Sequence, residues 1–127
     1  MLRVMMAAAV LCTAAIPAMA ADPAAGEKAF AVCKACHKVG EGAKNGVGPV
    51  LNGVVGRAAG SAEGYKYSDA MASSGITWDE ANLAEYLKNP KTKVAGNKMM
   101  FAGVKDDTKI ADIIAFLGQF NADGTKK

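Results

Sequence analysis

An all-helical fold is predicted for this chain of 127 residues, on three observations. Ile110, Ile113, Ile114 and Leu117 fall at i, i+3, i+4 and i+7, which is one face of a helix. Leu83, Tyr86 and Leu87 mark a second helical face behind Thr77-Trp78-Asp79-Glu80, a capping box. No alternating run of apolar and polar residues is long enough for a useful strand.

The elements follow in chain order. Met1-Leu2-Arg3 is a charged start, Val4 to Ile16 is apolar, and Ala18-Met19-Ala20 is an A-x-A cleavage site. Residues 1–20 therefore read as a cleaved signal peptide, and residues 21–127 as one exported domain. A membrane anchor fits less well, because the apolar run falls short of the ~20 residues a span needs. Leu11 before Cys12 is too large for a lipoprotein site, so no lipid anchor is expected. The expected compartment is a bacterial periplasm.

Asp22-Pro23 reads as an N-cap with proline in the first turn, opening a helix to about Lys34. Val39 to Gly64 is glycine-rich with no helical period and reads as loop. Ser68 is expected to cap a short turn through Met71. The helix behind the capping box is closed by Asn89-Pro90, and Pro90 itself opens another short turn. Asp106 and Asp107 suit the N-terminus of the last helix. That helix is expected to pack on the first, where Gly26 lets two backbones approach and Phe30 fills beside it. Asn121 to Lys127 is polar and is expected to fray.

Cys33-Lys34-Ala35-Cys36-His37 carries the chemistry. C-x-x-C-H is the spacing at which two thiols take up the two vinyl groups of one haem, with the next imidazole as proximal ligand. A thioredoxin-type pair would need a strand–helix context that is missing. A zinc site would need four N or S donors, and after leader removal the chain offers Cys33, Cys36 and His37 alone. The oxidising compartment would also permit a Cys33–Cys36 disulfide. Once the leader is gone, few bulky apolar residues remain. A large apolar cofactor would supply the missing core volume of so small a domain.

His37 is the one histidine, which excludes a second imidazole as distal ligand. Met71, Met99 and Met100 remain after leader removal. Gly96-Asn97-Lys98-Met99-Met100-Phe101-Ala102-Gly103 is an apolar patch framed by glycines, suited to a loop over the distal side. Spacing does not choose between Met99 and Met100. The formal net charge of +3 is too modest to suggest nucleic acid.

Further segments complete a pattern: Gly48-Pro49-Val50-Leu51-Asn52-Gly53, Gly75-Ile76-Thr77-Trp78, Leu87-Lys88-Asn89-Pro90-Lys91 and Lys98-Met99-Met100-Phe101-Ala102-Gly103. In this order after C-x-x-C-H, the chain resembles the class I c-type cytochromes, both mitochondrial-like and soluble bacterial. The resemblance implies the cytochrome c fold, with helices and long loops wrapped around one covalently attached haem c. It implies Met99 as the axial partner of His37, and Pro49 as carbonyl acceptor for the other ring N–H of His37. Tyr86 is expected near the Met99 sulfur. Tyr67 and Trp78, with Arg57 nearby, are expected at the propionates, and Phe101 over the haem edge. Three departures stand out: Met71 where the family often has Asn, Ala95 where it often has Pro, and Asn97 where it often has Thr. The last two are expected to loosen the ligand loop.

The function implied is one-electron carriage, with iron cycling between ferrous and ferric, and not enzymatic turnover of a small-molecule substrate. A quinol–cytochrome reductase would be the donor, and a terminal oxidase or photosynthetic reaction centre the acceptor. Lys34, Lys38, Lys44, Lys91, Lys93, Lys98 and Lys105 would ring the haem edge and steer a monomer onto these membrane complexes. A peroxidase or gas-binding protein would need an open distal site, which a ready methionine argues against.

Overall fold

The computed structural model describes residues 9–10 and 20–127, so the predicted leader lies almost wholly outside the described residues. From Asp22 onward the chain forms α1 (Pro23–Ala29), a 3₁₀ turn (Phe30–Cys33), α2 (Asp69–Ala72), α3 (Glu80–Lys88), α4 (Pro90–Lys93) and α5 (Asp107–Leu117). Among the described residues, strand pairing is limited to the isolated bridges Ala58 with Thr77 and Phe120 with Lys126. No described helix is long and apolar enough to cross a membrane.

Side-chain caps start α1, α2, α3 and α5, while α4 opens on Pro90 without one. Asp22 accepts from the Ala24 N–H, and its own N–H donates to Asp112 Oδ1 at 2.8 Å, tying α1 to α5 at its first residue. Ser68 caps α2, and Asp106 caps α5 by accepting from Thr108 and Lys109. The helix expected from the capping box begins later than Thr77. Asp79 is the cap, accepting from Asn82 N–H at 2.7 Å, while Thr77 is held outside by its bridge to Ala58. A free carboxylate at the cap also favours the positive helix end, which a hydroxyl does not.

The core forms where α1 crosses α5. Gly26 packs so closely that a Cβ there would collide with the carbonyl of Asp112, so only a glycine permits this approach. Phe30 meets Phe116 with ring centroids 5.4 Å apart, and Phe116 meets Phe120 at 5.3 Å. Ile110, Ile113, Ile114 and Leu117 are all buried, as their spacing predicted. Phe116 is buried too, on the face toward α1, so the apolar stripe of α5 is wider than the four residues first picked out.

The tail does not fray. Asn121 N–H donates to Thr125 O at 2.8 Å, Gly124 N–H to Asn121 O at 2.9 Å and Lys127 N–H to Gln119 O at 2.8 Å. Gly124 sits against the carbonyl of Gly40. A polar composition misled here, because the segment closes through its own backbone and through Asp123, which accepts from Thr125.

Candidate haem site

The 3₁₀ turn tightens the chain after α1 and presents the cysteines. Cys36 and His37 both donate their N–H groups to Cys33 O, at 3.1 and 2.9 Å. Cys33 is half-buried and Cys36 exposed, and both are free thiols. Burial, and secondarily Cys36, push the Cys33 thiol above its ordinary value. Among the described residues, no group of three or more His, Cys, Asp or Glu side chains converges as a metal site would need. Among the described residues no strand stands behind the pair either, so the zinc and thioredoxin alternatives lack their frameworks there.

His37 is oriented from two sides. Its Nδ1 lies 2.8 Å from Pro49 O. A carbonyl can only accept, so Nδ1 carries the hydrogen and Nε2 keeps its lone pair for a ligand. Gly48 lies flat against the ring, and a Cβ there would come within 2.5 Å of His37 Cε1. Burial holds the imidazole pKa below its usual value, opposed by the Pro49 bond and reinforced by the charge of Arg57. The neutral ring needed for ligation is therefore favoured.

The loop carrying Gly48 and Pro49 is fastened by asparagines. Asn45 Oδ1 accepts from Val50 N–H and its Nδ2 donates to Glu63 O, each at 2.8 Å. Asn52, buried, accepts from Gly40 N–H and donates to Gly40 O. Neither was singled out as a site residue from the sequence, where a loop asparagine carries no periodic signal.

From Pro49 the contacts lead to the far side of the site. Arg57 Nη1 donates to Val50 O and Asn52 O at 3.2 and 3.1 Å. Trp78 N–H donates to Arg57 O at 2.8 Å, and the rings of Trp78 and Tyr86 stand 4.8 Å apart. Tyr86 O–H points to Met99 Sδ at 3.8 Å. Burial, and to a lesser degree Tyr65, push the Tyr86 hydroxyl up to about 12, so it stays a donor. Met99 is half-buried against the core, whereas Met100 is 95% exposed. Phe101 stands apart from this chain of contacts, lining a cavity of about 240 Å³ with Pro90 and Lys91.

These residues fit the group that the motif calls for. Arg57 Nε is buried without a hydrogen-bond partner, an orphaned cationic donor suited to an acidic substituent. Tyr67 accepts from Ala62 N–H at 2.9 Å, which leaves its own O–H to donate. An imidazole lone pair, a shielded thioether, two free thiols and two unspent donors are what a covalently held haem requires of a chain.

Fold and site together define a small helical domain built to hold one haem through C-x-x-C-H. Residues 23–121 match the family model described as Cytochrome c, and the chain belongs to the cytochrome c family. It is 56% identical over 118 residues to cytochrome c2 of Blastochloris viridis, covering 93% of each chain. It is also 56% identical over 104 residues to cytochrome c-550 of Bradyrhizobium diazoefficiens, covering 82% of this chain and 76% of that one. Among solved structures, cytochrome cH from Methylobacterium extorquens superposes with a TM-score of 0.73 at 58% identity, over 76% of this chain and 97% of that one. Cytochrome c2 from Rhodospirillum centenum gives a TM-score of 0.75 at 37% identity, over 79% and 98%. The chain is thus a class I c-type cytochrome with one covalently attached haem c, and its function is electron transport. Electron carriers of this family are generally not enzymes.

Proposed function

We propose that this chain is exported through a leader at residues 1–20, and that residues 21–127 work in the periplasm as a monomeric carrier with no catalytic activity. Cys33 and Cys36 would hold the haem covalently, each adding its S–H across one vinyl group with no net oxidation. His37 Nε2 and Met99 Sδ would be the donors to its iron. Arg57, Tyr67 and Trp78 serve the propionates, and Phe101 covers the edge. Bound haem supplies reversible one-electron chemistry at iron, with a potential raised by the thioether.

The observation that carries this reading is the contrast between adjacent methionines. Met99 is turned inward, with a hydroxyl on its sulfur, and Met100 is turned out. An inward thioether leaves no vacant position for a substrate, which favours a carrier over a peroxidase. Pro49 fixes the tautomer of His37, Gly48 leaves the space its ring occupies, and Tyr86 limits excursions of the sulfur. The residues therefore hold one geometry in both oxidation states, which keeps reorganisation small.

Docking to a quinol–cytochrome reductase and to an oxidase or reaction centre is assigned to the lysines around the haem edge. Lys34, Lys38, Lys44 and Lys91 are exposed and suit steering. Lys93 is paired with Glu85 at 2.5 Å, and Lys105 donates to Lys88 O and Asn89 Oδ1. Lys98 donates to Lys66 O and lies 5.9 Å from the centre of the Tyr65 ring. These three are held by the chain itself and contribute charge more than reach.

The test is potentiometry of protein matured in a periplasm, with its visible spectrum. A single one-electron wave at clearly positive potential, with the weak red absorption of a ferric–thioether bond, is expected. A low potential without that band would remove Met99 as ligand and bring the peroxidase or gas-binding reading forward.

A further inference from the structure

Asn97 stands two residues before Met99 and makes more side-chain hydrogen bonds than any neighbour in the ligand segment. Its Nδ2 donates to Pro90 O at 2.9 Å and to Val94 O at 2.8 Å. Its Oδ1 accepts from the Met99 N–H at 2.8 Å. Its own backbone N–H donates to Val94 O at 3.2 Å. The first two acceptors belong to α4 and its C-cap. Pro90 O already accepts from the Val94 N–H at 3.0 Å, so the amide adds a second donor to each of these carbonyls. The side chain of Asn97 thereby joins α4 and its C-cap to the backbone of Met99.

We propose that Asn97 is a positioning residue, whose amide locks the Met99 segment onto the end of α4 and thereby keeps the Met99 thioether in place as distal ligand. This rests on the assignment of Met99 made above. Two donors and one acceptor must leave one short side chain, and an amide alone provides them. An aspartate keeps the acceptor and loses both donors. An alanine loses all three bonds. The rest of the segment offers little to replace them, since Met100 is exposed and Lys98 reaches away to Lys66. Met99 is then held at two points, its backbone by Asn97 and its sulfur by Tyr86.

The consequence is a population. An outside ligand such as imidazole binds ferric iron only when Met99 has swung away, so its apparent affinity scales with the open fraction. Each hydrogen bond of this kind is worth about 2- to 12-fold in an equilibrium. Removing the whole set raises the open fraction by about ten- to a hundred-fold.

The experiment titrates imidazole into ferric holoprotein at constant pH, comparing wild type, Asn97→Ala and Asn97→Asp, with the red band, the potential and thermal unfolding recorded for each. Asn97→Ala is expected to bind imidazole about ten- to a hundred-fold more tightly than wild type, with a lowered potential. Asn97→Asp, which can still hold the Met99 N–H, should fall between. A residue that only stabilised the fold would lower the melting temperature and leave imidazole affinity and potential at wild-type values, and that result would overturn the proposal. If Asn97→Ala fails to mature, Asn97→Asp decides by the same criterion. A wild type without the red band would instead remove the Met99 assignment, and the lock with it.

Discussion

Where α1 crosses α5, buried carbon holds the chain; where the Met99 segment closes over the site, hydrogen bonds from asparagines to backbone hold it. The first region has Phe30, Ile113 and Phe116 packed almost without exposure, and Gly26 pressed on a carbonyl of the facing helix. The second has Asn97 fixing a short segment with no regular structure of its own, as Asn52 does for the loop at Gly40 on the His37 side. Apolar burial is non-directional and large, so it fixes which helices meet. Hydrogen bonds are smaller and directional, so they fix where one atom sits. A carrier needs both: a rigid frame, and ligand atoms that do not move when the charge on iron changes.

That contrast predicts that frame and ligand geometry can be disturbed separately. The largest effect belongs to Phe30→Ala, which empties a fully buried site and should cost about 3–5 kcal/mol. Thermal unfolding of the ferric protein should fall by more than about 10 °C, while the potential and red band stay at wild-type values below the transition. A shifted potential in the folded variant would mean that the two regions are coupled.

Asn52→Ala comes next. It leaves the N–H of Gly40 without its partner, while Gly40 O keeps the Ala43 N–H, and should cost about 1–3 kcal/mol. Faster amide exchange at Gly40, with a smaller loss of melting temperature than Phe30→Ala, is the expected result. Unchanged exchange would show that the tail packed on Gly40 holds the loop by itself.

The smallest effect on stability, and a direct one on function, is expected of Tyr86→Phe. The ring keeps its contact with Trp78 but loses the O–H on Met99 Sδ. A donor on the sulfur withdraws electron density and favours the ferrous state, so its removal should lower the potential by at most about 20–60 mV. Voltammetry beside a melting curve checks this, and an unaltered potential would deny that hydrogen bond any part in setting it.

The two regions were not equally legible. The stripe of α5, the caps at Asp22 and Ser68, the break at Asn89-Pro90 and the approach at Gly26 are all readable, because each is a local or periodic pattern. The capping box was read two residues early, since Thr77 and Asp79 are both competent caps and only the bridge to Ala58 takes Thr77 away. The tail was read as frayed, since composition does not reveal a closed turn. Asn97 was expected to loosen the ligand loop. Instead it is the residue that fastens it, because its partners at Pro90 and Val94 become neighbours only once α4 has formed.

By itself the sequence determined the helical class, the C-x-x-C-H haem motif formed by Cys33, Cys36 and His37, and the short set of methionines from which a distal ligand could come. Those rest on spacing and on residue chemistry, which survive any arrangement of the chain in space. The tertiary structure alone decided the tautomer of His37, the inward turn of Met99 against the outward turn of Met100, and the fastening of the loops by Asn45, Asn52 and Asn97. Each of these depends on a donor meeting an acceptor within about 3 Å, and a directional contact of that range exists only after the backbone has placed both ends.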